Sequence, residues 1–187
     1  LGFVCDNLIR AEVVTADGRV VTASDSENPD LFWALRGGGG NFGIVTRFTF
    51  RLHEVGPVLL AGMLIWPAAE AGELVRFWRD FMTGAPDEVG SALALITAPP
   101  LDFVPEPVRG QPVAAVVVSY VGPVEEGEEA LRPLREFGPA ADLVEPMPYT
   151  VLQQLIEPGN PHGLQNWWTA DFLASQSERA PWAVGLT

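Results

Sequence analysis

The chain contains no lysine; all eleven of its basic residues are arginine. That absence excludes Schiff-base chemistry and a P-loop lysine, and leaves anion binding to backbone amides. Cysteine is nearly as scarce. Cys5 stands alone among 187 residues, which rules out an intrachain disulfide and a cysteine zinc cluster and gives no sign of an oxidising compartment. The two histidines, His53 and His162, are far apart, so neither a metal site nor a nucleophile-base pair is supported, and no metal is expected. The longest apolar stretch, 58–66, is too short to span a bilayer, and no signal peptide opens the chain. No membrane partner is expected, and the compartment defaults to the cytoplasm. Positive charge is also in short supply: 24 acidic residues give a net charge of −13, which repels polyanions and argues against nucleic acid.

Apolar residues make up 48% of the chain, enough to bury a core in one domain or in a small domain plus part of another. The first residue is Leu1, and the opening reads like the interior of an element, which predicts a fragment of a longer protein.

The β-rich runs 11–16 and 19–23 flank Asp17-Gly18, a strong hairpin signal because both residues tolerate positive φ. Asn28-Pro29-Asp30 reads as a helix start, with Asn28 as N-cap, Pro29 in the first turn and Asp30 facing the positive end of the dipole. The helix fills 31–36, and Gly37 is the expected left-handed stop. Residues 44–52 alternate with period two and predict a strand. After Gly56-Pro57 come a buried strand over 58–66 and a helix from Pro67 with Leu74, Val75, Trp78, Phe81 and Met82 on one face. Two strands follow, 89–97 and 112–121, joined by a proline-rich loop. An acidic helix over 125–137 is bent or started late by Pro133 and buries Leu131, Leu134 and Phe137. A short helix over 149–156 and an aromatic strand over 165–173 close the pattern. This order predicts an α+β chain, an antiparallel sheet with helices on one face, divided near residue 56.

Four consecutive glycines, 37–40, cost ordering entropy in any fold. The segment 38–43 satisfies G-x-G-x-x-G, but a dinucleotide fold needs a strand before that motif and a helix after it, and here the order is reversed. The absence of a following Gly-Lys-Ser/Thr excludes a Walker loop. What remains is a tight helix-to-strand connection, either purely structural or shaped so that a ligand can lie on its backbone. The residues alone leave both readings open.

The blocks 2–18 (GFVCDNLIRAEVVTADG) and 28–46 (NPDLFWALRGGGGNFGIVT) resemble the FAD-linked oxidases related to berberine bridge enzyme, specifically the second half of their PCMH-type FAD-binding domain. The likeness covers about the first 55 residues and is weaker beyond 57, where Pro146-Met147-Pro148-Tyr149 and Trp167-Trp168 resemble the substrate domain. It implies that residues 1–56 are the C-terminal part of the FAD-binding domain and 57–187 an incomplete substrate domain. It further implies FAD as cofactor, held by Asp6, Asn7, Gly39, Gly40, Asn41, Phe42, Gly43, Ile44 and Val45. The activity implied is oxidation of an alcohol, hemiacetal or amine, with hydride transfer to flavin N5 and reoxidation by O2. The family's covalent histidine and cysteine lie upstream of this block and its catalytic segment downstream, so no catalytic residue is assigned and the chain alone is expected to be inactive. Cys5 does not match the covalent position and reads as a small buried residue.

Trp33 and Trp78 read as helical core residues, and Trp167 and Trp168, on opposite faces of their strand, are candidates for substrate contact or core packing. The expected partners are a small-molecule substrate and O2, with a homo-oligomer left open. The alternative is a non-catalytic small-molecule-binding or interaction module in which the glycines are only a turn.

Overall fold

Residues 8–24 form the expected hairpin, and it closes differently from the two-residue turn that Asp17-Gly18 suggests. The computed structural model describes residues 3–98, 104–155 and 162–163. In it β1 (Leu8–Val14) pairs antiparallel with β2 (Val20–Ser24) through a loop in which Gly18 N–H donates to Thr15 O and Thr15 N–H donates to Arg19 O. Of the loop residues only Gly18 takes positive φ, at 80°, so a type I turn followed by a glycine bulge does the work. The chain divides into two compact units, Leu1–Glu54 and Val55–Thr187.

The first unit holds a three-stranded antiparallel sheet in the order β2-β1-β3, where β3 is Ile44–Phe50, with α1 (Pro29–Leu35) packed on one face. Ala11, Val13 and Ala23 from the sheet and Phe32 from the helix form its buried core. Pro29 sits in the first helical turn as expected, but Asn28 does not cap. Its backbone is left-handed at φ 49°, and its side-chain amide donates to Thr22 O at 2.7 Å instead. The helix stop also differs, because Gly37 has φ 157°, nearly extended, and Gly38 N–H takes Ala34 O at 2.8 Å.

In the second unit β4 (Val58–Pro67), β5 (Val89–Thr97), β6 (Pro112–Tyr120), β7 (Ala141–Asp142) and β8 (Glu145–Pro148) form one antiparallel sheet. Its order is β5-β6-β4, and β7 and β8 share the far side of β4. The two-residue period sorts the faces. Leu60, Leu64 and Trp66 of β4 meet Ala114, Val116, Val118 and Tyr120 of β6 beneath α2 (Ala71–Gly84) and α3 (Val124–Glu136). On the opposite face Ile65 and Val113 pack with Ala98, Val104, Val108 and Ala141, the loop side of the sheet. Each of the large side chains buried there stabilises the fold by roughly 1.5–3 kcal/mol.

Pro133 neither bends the acidic helix into two nor delays it. α3 runs from Val124 through the proline and buries Leu131 and Leu134. Its end is clasped to the sheet by Arg135, which bonds Glu128 and Val144 O and pairs with Asp142 at 2.9 Å. Gly62 allows the two short strands to share one side of β4, since a Cβ there would strike the Leu143 carbonyl between them. The fourth helix, α4 (Tyr149–Leu152), is shorter than the expected 149–156, and the expected strand over 165–173 lies outside the described residues.

Candidate functional site

The site is built where α1 ends and the chain turns back toward β3. Gly39–Phe42 forms a short 3-10 turn kinked at Gly40, and Asn41 ties it down by donating its amide to Gly38 O at 2.9 Å. Three glycines of the segment now have a structural reason. A Cβ on Gly43 would lie 2.5 Å from Val14 O, and φ there is 134°, so the fold itself demands glycine. A Cβ on Gly38 would collide with the Phe42 ring and stand 2.6 Å from Ala34 O. Gly39 has φ 71°. Gly40 has none of these reasons: φ is −81° and nothing lies within 4 Å of the Cβ it lacks.

Asp6, Trp33, Ala34, Arg36, Gly37, Gly38 and Phe42 line an open cleft of about 470 Å³ in the first unit. Asp6 enters from a 3-10 turn over Val4–Asn7, and Trp33 and Arg36 enter from the last turn of α1. Arg36 stacks over the Phe32 ring, its guanidinium carbon 4.9 Å from the centroid, and has no carboxylate partner among the described residues. Trp33 is 75% exposed, which corrects its assignment to the core. Successive helical residues turn by 100°, so Leu31, Phe32 and Leu35 define the packed face and Trp33 falls on the far side.

Of the residues expected at a cofactor, the cleft brings together Asp6 and Phe42 and no others. Asn7 turns inward: its amide donates to Phe3 O at 3.1 Å, and its Oδ1 sits 2.6 Å from His53 Nε2. Gly39, Gly40 and Asn41 are exposed beside the cleft without lining it. Gly43 is held against β1, Ile44 points outward at 73% exposure, and the Val45 side chain joins the core, leaving only its backbone for a ligand. Trp167 and Trp168 lie outside the described residues. Cys5 is half-buried rather than buried, its Sγ 3.9 Å from Asp6 Oδ1. Trp33, Arg36 and Gly38 were missed by the sequence reading; helical phase would have found the first.

Among the described residues there is no group of three metal-ligating side chains, and no helix is long and apolar enough to cross a membrane.

No family model matches the chain. It is 32% identical over 176 residues to an FAD-linked oxidoreductase of Dictyostelium discoideum, an alignment that takes in 92% of this chain and 36% of that protein. BBE-like 1 of Physcomitrella patens shares the fold, with a TM-score of 0.62 at 24% identity over 86% of this chain and 33% of that one. Crystalline 6-hydroxy-D-nicotine oxidase from Arthrobacter nicotinovorans superposes with a TM-score of 0.66 at 28% identity, covering 84% of this chain and 34% of that one. The chain belongs to the FAD-linked oxidoreductases. It spans about a third of the length of these relatives. The α+β architecture, with its antiparallel sheet under helices, is that of the family. An FAD-linked oxidoreductase needs room for a dinucleotide, and the chemistry of the residues here is compatible with one. The cleft is open, a guanidinium and a carboxylate face it, and the exposed backbone at Gly40 admits close approach.

Proposed function

We propose that this chain is part of an FAD-dependent oxidoreductase that oxidises an alcohol, hemiacetal or amine, with residues 1–56 contributing to the FAD-binding domain and 57–187 to the substrate domain. The carrying observation is Gly40, a glycine in the middle of the run that neither backbone angle nor packing requires. A ligand lying on the main chain supplies the missing reason, and the family's cofactor is the ligand at hand. Bound FAD supplies an acceptor at N5 for a hydride from the substrate carbon, and O2 takes the electrons away. The chain's own part would be to hold: the backbone of the exposed 3-10 turn would lie against the cofactor, and the Asn41 amide ties that turn to Gly38 O. No side chain among the described residues is assigned as the base.

A second reading, a non-catalytic binding or interaction module, draws on Gly38 and Gly43, whose missing side chains the fold already explains. Replacing Gly40 by leucine separates the two. The variant should melt with the parent chain, because the Cβ meets open space, yet bind FAD at least tenfold more weakly by flavin fluorescence titration. Unchanged FAD affinity in a folded variant would favour the module. Reduction of the bound flavin by an added alcohol or amine would overturn the expectation that the isolated chain is inactive.

A further inference from the structure

Four strand edges bound the two sheets among the described residues, and three of them carry a device that discourages further pairing. β2 is short, at five residues. β3 holds Arg47, and its pairing with β1 slips register twice. Beyond β4 the sheet ends in β7, of two residues, and β8, whose four residues include Pro146 and Pro148. β5 has none of these devices. Its nine residues, VGSALALIT, contain no charge and no proline, and they pair with β6 from Val89 opposite Tyr120 to Thr97 opposite Pro112 without a register shift. Just beyond the two ends of that ladder, Val121 N–H donates to Glu88 O and Ala98 N–H donates to Gln111 O. Hydrogen-bonded pairs alternate along an antiparallel ladder, so the even-numbered residues of β5 turn their main-chain groups toward β6. The N–H and C=O groups of Ser91, Leu93 and Leu95 therefore point outward, a ready template for another strand.

We propose that β5 is the interface of a homodimer, pairing antiparallel with β5 of a second copy about a two-fold axis at Leu93. That register matches all nine residues. It sets Leu93 against Leu93 and Ser91 against Leu95 on the helix-covered face, where both leucines are only half-buried in the single chain. On the other face, where Gly90 and Ala92 are exposed, it sets Ala92 against Ala94 and Gly90 against Ile96, small beside small and smallest beside largest. No like charges meet. The surroundings favour a second copy as the occupant, because two chains of net charge −13 repel each other over most of their surface. Along β5 they do not: the bordering helix α2 carries Glu73 and Asp80 against Arg76 and Arg79, whereas the acidic excess of α3 lies over β4 and β6. The inference uses no residue of the first unit and stands apart from the FAD reading.

Sedimentation equilibrium of the 187-residue chain, combined with residue-resolved amide exchange, tests the interface. The chain should show a monomer–dimer equilibrium. The amides of Ser91, Leu93 and Leu95 should gain protection as protein concentration rises, while those of Ala92 and Ala94 stay protected throughout. Ala92→Lys puts a charge on an exposed side chain where Ala94 of the second copy would lie, and should raise the dimer dissociation constant about tenfold. Its far-UV circular dichroism should match the parent. Ala92→Ser, small and uncharged, should dimerise like the parent and so separates charge at the edge from a general disturbance of β5. A chain that stays monomeric, a dimer that Ala92→Lys leaves intact, or a dimer in which the three outward amides exchange freely would overturn the proposal. So would protection of Leu93 that is independent of concentration, because the edge would then be covered within one chain.

Discussion

Oδ1 of Asn7 accepts a hydrogen bond from Nε2 of His53 at 2.6 Å, joining the first 3-10 turn to the segment that follows β3. The amide nitrogen of Asn7 already donates to Phe3 O, so its oxygen faces the ring and Nε2 must carry the proton. Arg51 N–H donates to Asn7 O at 2.8 Å, a second tie between the same two segments. Asn7 therefore sets the position of its neighbour Asp6 rather than reaching into the cleft itself.

Replacing His53 by alanine should cost about 1 kcal/mol, the worth of one hydrogen bond. Urea unfolding of the chain reads this as a lower midpoint with an unchanged slope. His53→Gln, which keeps a donor, should recover part of the loss; a glutamine variant no better than alanine would assign the effect to packing.

The glycines of the 37–43 segment should respond very unequally. Gly43→Ala forces a methyl to 2.5 Å from Val14 O at a φ of 134°, and should cost on the order of 3 kcal/mol. Gly40→Ala should stay within about 0.5 kcal/mol of the parent. Thermal unfolding of the two variants side by side checks the contrast.

The hairpin loop contains an acid-sensitive contact. The Thr15 hydroxyl donates to Asp17 at 2.5 Å and Arg19 donates at 2.6 Å, which together lower the Asp17 pKa from 3.8 to about 2. A carboxylate with a lowered folded value contributes stability that is present above pH about 4 and is lost as pH falls toward 2. In Asp17→Asn that part of the acid dependence should be absent. Carboxyl chemical shifts recorded from pH 5 to 2 measure the folded value directly, and a midpoint near 3.8 would contradict the prediction.

Arg135→Leu tests the clasp between α3 and the sheet. Both acidic partners, Glu128 and Asp142, are more than a third exposed, so solvent weakens the ion pairs and the bond to Val144 O carries most of the effect. The expected loss is about 1 kcal/mol, largely preserved in 1 M salt. A loss that disappears at high salt would assign the clasp to charge alone.

Much of the second unit was legible because its signals agree. The apolar run over β4 is too short to leave the sheet and too continuous to face water, and the face of α2 follows the helical period. The strand β8 was not legible, since Pro146 and Pro148 argue against a ladder; pairing along one edge of β4 accommodates them because alternate N–H groups there are not needed. At the site the limit was different. A helix end, a positive φ, a close packing contact and a ligand all ask for the same residue, so the run 37–40 and Gly43 could not be sorted until neighbours were in place. Trp33 was misread for another reason: tryptophan is so often buried that residue type overrode the phase of α1.

That phase has an optical consequence. The first unit has a single indole, Trp33, facing water, whereas Trp66 in the second unit is wholly enclosed with the Phe137 ring edge-on at 6.2 Å. Emission from the two should therefore sit at opposite ends of the tryptophan range, long-wavelength for Trp33 and short for Trp66. Because the other five indoles all follow residue 54, Trp33 is the first unit's own reporter, and subtracting the spectrum of Trp33→Phe isolates its signal without a dye.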